Sequence, residues 1–175
     1  QSSNMQKIVS FAKESVSILR ETGDQSRLAL ALCWLGGALR YREKDAENGL
    51  ATLNEGLRIF RGLNDKWGIA FALGQTDGAG LEESLALYRE IGDRYRMPYV
   101  LESLAWELWQ TGDPKAGRDM CQEGVAMLHE AGDLISAAQG GDYMARIDLH
   151  LGNYERAASV VEKHLKVART YGSHW

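Results

Sequence analysis

Apolar residues recur along this chain at intervals of three and four, the spacing that lines one face of an α-helix. Ile8, Ala12, Val16 and Leu19 form such a stripe near the start. Leu50, Leu53, Leu57 and Phe60 form a second, and Leu81, Leu85 and Tyr88 a third. Leu101, Leu104, Ala105 and Leu108 follow, and then Tyr154, Ala157, Val161 and Leu165. The pattern predicts helices at about 6–22, 25–42, 46–63, 66–76, 81–91, 97–111, 114–131, 134–151 and 154–170. No segment alternates with a period of two between turn residues, so no strands are expected.

The polar punctuation between these segments repeats. Gly23-Asp24, Asn64-Asp65, Gly92-Asp93 and Gly132-Asp133 each close one amphipathic segment and open the next, at intervals of 41, 28 and 40 residues. Half-period turns lie at Lys44-Asp45, Gly112-Asp113 and Gly152-Asn153. Glycine just past a helix end takes the left-handed conformation without a Cβ penalty. The aspartate after it accepts from the free N–H groups of the next helix. Pro114 fits a first helical position, where no N–H is needed, and Pro98 is expected in the first turn of its helix. Short turns between helices of similar length make neighbours antiparallel, and stacked helix pairs bury faces that one pair cannot.

The interval of 28 departs from the pattern. Aligning Leu81 to Leu85 with Cys121 to Val125 leaves about twelve residues unaccounted for around Gly74-Gln75-Thr76-Asp77-Gly78-Ala79-Gly80. Either this unit has a shortened first helix and a glycine-rich loop, or a segment is missing there; the abrupt stop of the helix starting at 66 points to the second.

Composition narrows the function classes. The 175 residues are 45% hydrophobic and 25% charged, a globular mixture long enough for a real core. The net charge of -4 carries no basic stripe, so direct nucleic-acid binding is not expected. No apolar run approaches a membrane span, and no signal peptide is read. Cys33 and Cys121 are far apart in sequence and are expected as buried thiols in a reduced, cytoplasmic setting. His129, His150, His164 and His174 form no metal-ligand spacing, and no nucleophile elbow occurs. No metal, no cofactor and no enzymatic activity are expected.

Gly36, Ala105 and Ala145 in the first helices, and Gly49, Gly117 and Ala157 in the second, occupy matching small positions. Asn54-Glu55-Gly56-Leu57, Glu82-Glu83-Ser84-Leu85, Gln122-Glu123-Gly124-Val125 and Glu162-Lys163-His164-Leu165 recur in the second helices. These features resemble the tetratricopeptide repeat family over residues 8 to 170. The period is near 40 instead of the family's 34. Leu32 and Leu101 replace the leading Trp, and Gly-Asp replaces the closing Pro. The long period, with Phe60 to Ala70 and Leu87 to Asp93, is similar to the C-terminal sensor domains of bacterial transcriptional regulators of the LuxR, MalT and AfsR types.

The resemblance implies an all-α, right-handed superhelix of about nine antiparallel helices, with residues 6–172 as one domain. Residues 1–5 read as an expression remnant. The first helix aligns with a second helix whose partner is absent, as in a fragment of a longer protein. In such solenoids the first helices line a concave face. Removing the packing stripe leaves Cys33, Gly37, Arg40 and Tyr41; Tyr99, Glu102, Trp106 and Trp109; and Gln139, Asp142, Tyr143, Arg146 and His150. Of these, Arg40, Tyr41, Tyr99, Glu102, Trp106, Trp109, Asp142, Tyr143, Arg146 and His150 are the candidates for holding a protein or peptide partner. Trp34 and Trp67 are expected in the core, and Gly140-Gly141 at a close helix contact. The alternatives are self-association through the repeat ends and the binding of a small effector.

Overall fold

The structure, a computed structural model, describes residues 2–40 and 45–171. Among the described residues are nine α-helices and no strand: α1 (Ser2–Thr22), α2 (Gln25–Arg40), α3 (Ala46–Gly62), α4 (Lys66–Leu73), α5 (Ala79–Ile91), α6 (Met97–Thr111), α7 (Pro114–Glu130), α8 (Leu134–His150) and α9 (Tyr154–Tyr171). The protein is therefore all-α. Helix α1 extends back to Ser2, four residues before the expected start.

The turns have the geometry that their residues favour. Gly23, Gly92 and Gly132 have φ between +72° and +76°, and Asn64 takes the same left-handed form at +53°. The carboxylates of Asp24, Asp65, Asp113 and Asp133 each accept a backbone N–H three residues on, at 3.0 Å. Those bonds satisfy donors that a helix start leaves orphaned.

The contacts gather into two compact units, Gln1–Leu87 and Tyr88–Trp175. In the first, Val9, Ala12, Val16 and Leu19 of α1 meet Leu28, Leu32, Leu35 and Leu39 of α2. The backbones of α2 and α3 approach closely: a Cβ at Gly36 would come within 2.8 Å of the Gly49 oxygen. Gly56, further along α3, faces Ala29 and Cys33, earlier on α2, so the two helices run antiparallel. Phe60 lies with its ring on Gly68 of α4, inside a cluster with Leu53, Leu57 and Phe71. In the second unit Gly117 of α7 rests on the Ala105 carbonyl of α6, where a Cβ would stand 2.6 Å away. Ala105, Cys121, Met144 and Ile147 form a core between α6, α7 and α8.

A structural equivalence underlies the repeat. The third residue of three of the recurrent four-residue segments abuts a backbone carbonyl of the preceding helix. Gly56 meets the Ala29 oxygen, Ser84 Oγ donates to the Ala70 oxygen at 2.7 Å, and Gly124 meets the Pro98 oxygen. Ala29, Ala70 and Pro98 are spaced by 41 and 28 residues, the intervals of the turns. The second residue of each segment, Glu55, Glu83 and Glu123, faces Arg20, Arg61 and Arg89 respectively, at 2.9, 3.8 and 3.3 Å. The short interval is thus absorbed between Ala70 and Ser84. There α4 ends at Leu73, not 76, and residues 74–78 turn directly into α5.

Several expected core residues are not core. Trp34 is exposed, with its ring 5.3 Å from Phe71, because it lies off the stripe of Leu28, Leu32, Leu35 and Leu39 that α1 covers. Trp67, by contrast, is half-buried and packs against the core of the first unit, stacked on Phe71 at 5.4 Å. Ile8, Leu50, Tyr154, Val161 and Leu165 are also exposed. On α1 the expected Val16 is buried, with Val9 covered in place of Ile8, and on α9 the expected Ala157 is buried.

Candidate functional site

Helices α6 and α8 lie on either side of α7 and touch each other. On α6, Tyr99, Glu102, Trp106 and Trp109 are spaced by three, four and three residues, which places them on one face. Their counterparts on α8 form a ladder. Tyr99 Oη lies 3.5 Å from Ser136 Oγ. The Glu102 carboxyl lies over Gly140, whose Cβ would stand 2.5 Å from Oε1. Trp106 meets Tyr143 edge-on at 6.4 Å between ring centroids, and Trp109 meets His150 at 5.9 Å. Residue numbers rise together on the two helices, so α6 and α8 are parallel. Trp106 and Trp109 also touch, at 5.2 Å and nearly perpendicular.

The ladder is accessible. Tyr99, Trp106 and Tyr143 are each between 36% and 41% exposed, high for aromatic rings that already have ring or hydroxyl neighbours. Trp109 is half-buried because its other side packs on the core of Ala105 and Cys121. Asp142 and Arg146 are exposed on α8. Asp142 turns toward α9 and pairs with His164 Nδ1 at 2.9 Å. The expected close contact at Gly140-Gly141 is present: both are buried, and a Cβ at Gly141 would collide with the His164 ring. Burial pushes the Glu102 carboxyl up from 4.5 to about 7, since a half-buried charge loses hydration.

The first unit contributes less. Arg40 is half-buried and donates to the Gln75 carbonyl and to Asp77, so its guanidinium is engaged by the short turn. Tyr41 lies outside the described residues. Cys33 and Gly37, expected to face inward, are buried instead, under Gly56 and Gln75. Burial pushes both thiols, Cys33 and Cys121, up to about 12, so neither is a ready nucleophile near neutral pH.

Sequence reading missed a buried ion pair. Arg118 of α7 donates from Nε to Asp148 Oδ1 at 2.8 Å, and Asp148 is fully buried. Asp148 follows Met144 by four residues, and an acidic side chain in register with an apolar stripe was the available signal. A hollow of about 540 Å3 lies away from the ladder, lined in part by Arg89, Arg94, Glu123 and Glu130. Its arginines are paired with those glutamates, at 3.3 and 2.6 Å, so it has no free charge to offer a ligand. Among the described residues no group of His, Cys, Asp and Glu is placed to hold a metal ion, and no helix is long and apolar enough to cross a membrane. Compared with known proteins, the chain matches no family model and no curated protein.

Proposed function

We propose that this chain is a non-enzymatic, tetratricopeptide-like scaffold that binds a protein or peptide across the α6–α8 face. The observation that carries the reading is the exposed aromatic ladder of Tyr99, Trp106 and Tyr143, supported from below by Trp109. Exposed tryptophan and tyrosine held rigid by neighbours supply large contact area at little entropic cost, which is how interface hot spots are built. The equivalent carbonyl contacts of Gly56, Ser84 and Gly124 support the repeat class. In a right-handed superhelix of that class, first helices such as α6 and α8 line the concave side. A cytoplasmic sensor domain of a bacterial regulator is the setting that the long period suggests.

The test is selection of peptides from a random library on the intact chain, with affinities then measured on Trp106→Ala and on Trp106→Ala/Trp109→Ala. A loss of about tenfold or more is expected in both, the size of a hot-spot truncation. The single variant matters because Trp109 also packs in the core, whereas Trp106 does not. Unchanged affinity in both variants would remove the α6–α8 face from the proposal.

A second reading is favoured by the two terminal helices. Ile8, Phe11 and Ile18 are exposed along one side of α1, and Tyr154, Val161 and Leu165 along one side of α9. Counting back 40 residues, Val161 and Leu165 correspond to Cys121, which is buried, and Val125, which is half-buried. The equivalent positions on α7 are covered by α8. Self-association through these stripes would make the scattering mass rise with concentration, and Phe11→Glu or Val161→Glu would abolish the rise. A constant monomer mass across the series eliminates this reading.

A further inference from the structure

The α6–α8 ladder has one open rung. Tyr99 is matched by Ser136, Trp106 by Tyr143 and Trp109 by His150, but Glu102 is matched by Gly140, which has no side chain to cover it. The Glu102 carboxyl leans into the space this leaves, and Val125 of α7 lies beside it, 2.9 Å from where a Gly140 Cβ would be. Glu102 makes no hydrogen bond and no ion pair among the described residues. Tyr99 stands three residues before it and Trp106 four after, one on each side. Seven residues of helix span about 10 Å. Along the helix axis Glu102 is then offset by about 5 Å from each aromatic position, so a cation paired with its carboxylate stands between the two rings.

We infer that this recess receives an arginine side chain of the docked partner, with Glu102 as the floor and Tyr99 and Trp106 as the walls. The inference rests on the docking reading of this face and names the chemistry that the face selects. Charge complementarity carries it. Asp142 is already held by His164, and Arg118 by Asp148. Arg146 lies six residues beyond Gly140, about 9 Å along the helix, near the Trp109 rung. Glu102 is thus left without a counter-charge, at a place that a neighbouring chain can reach. Guanidinium suits the recess better than ammonium, because its plane stacks on aromatic faces while its edge donates to a carboxylate.

The probe is N-acetyl-arginine methylamide, followed through the indole N–H resonances of Trp106 and Trp109 at about pH 8, where Glu102 is ionised. N-acetyl-citrulline methylamide is the neutral comparison. A saturable shift with a dissociation constant on the order of millimolar is expected for the arginine compound, at least about fivefold weaker for citrulline. Glu102→Gln, which keeps the shape, is expected to remove that preference. Equal binding of the two compounds, or a preference that survives Glu102→Gln, overturns the inference. The selected peptides separate this failure from failure of the docking reading. Peptides that need Trp106 but contain no arginine and ignore Glu102→Gln overturn the arginine recess alone. Peptides indifferent to Trp106 overturn both.

Discussion

Replacing Arg118 by alanine is expected to cost about 3–5 kcal/mol of folding stability, because it strands a buried carboxylate. Asp148 is fully buried, and the Arg118 side chain is 13% exposed. Asp148 Oδ1 takes Arg118 Nε at 2.8 Å and the Asn153 side-chain amide at 3.3 Å. Its Oδ2 is buried with no hydrogen-bond partner among the described residues. Without Arg118 the carboxylate keeps its desolvation penalty and loses its counter-charge. Urea denaturation followed by circular dichroism measures the loss, and a drop below about 1 kcal/mol would show that the pair does not matter. The double variant Arg118→Met/Asp148→Leu separates charge from packing. Removing both charges together is expected to bring stability back to within about 1 kcal/mol of the parent or above it. That outcome would assign the pair to the fit of α7 to α8 more than to net stability.

Glu102→Gln is expected to act in the opposite direction and to depend on pH. The Glu102 carboxyl titrates at about 7 in the folded chain and near 4.5 when exposed. Between those values the folded state binds more protons than the unfolded state, so stability falls as pH rises. The stability that Glu102 permits is fully present below about pH 4.5 and lost as pH passes 7. Glutamine is neutral throughout and escapes that loss. At about 1.4 kcal/mol per pH unit, discounted because water still reaches part of the side chain, the gain at pH 8 is on the order of 2 kcal/mol. It should vanish near pH 4.5. Thermal melts of the two proteins across that range are the measurement, and a gain that stays constant with pH would contradict the burial argument. The same variant is the probe of the arginine recess, so its loss of binding would not be a loss of fold. A carboxyl that costs stability at neutral pH is the pattern expected of a group kept for recognition.

Much of the fold was legible because the physics that writes it is local. A left-handed glycine followed by a capping aspartate acts within four residues, so Gly23-Asp24 and Gly132-Asp133 mark helix ends wherever they occur. The small positions were legible for a related reason. Gly36 with Gly49, and Ala105 with Gly117, bring two backbones together, and no larger side chain fits there. The candidate residues Glu102, Trp106, Trp109, Tyr143 and His150 do come to one face, because a helical spacing of three and four fixes their common side. Which of them would be open was not legible. Trp109 packs partly on the core, Asp142 turns to His164, and Arg40 is taken up by the turn that closes the short unit.

By itself, then, the sequence determined the helices, the ends marked by a capping aspartate, the repeat and the side on which the aromatic residues stand. Each of these follows from short-range backbone preferences and from periodicity. Only the tertiary structure decided what covers each stripe. The pattern that buries Cys121 on α7 leaves Val161 exposed on α9, because α8 packs over Cys121 and no described helix packs over Val161. It also decided that Asp148 would sit fully buried opposite Arg118, thirty residues away, and that Glu102 would face the one rung without a side chain. Those pairings arise where helices distant in the chain meet, and no local preference encodes them.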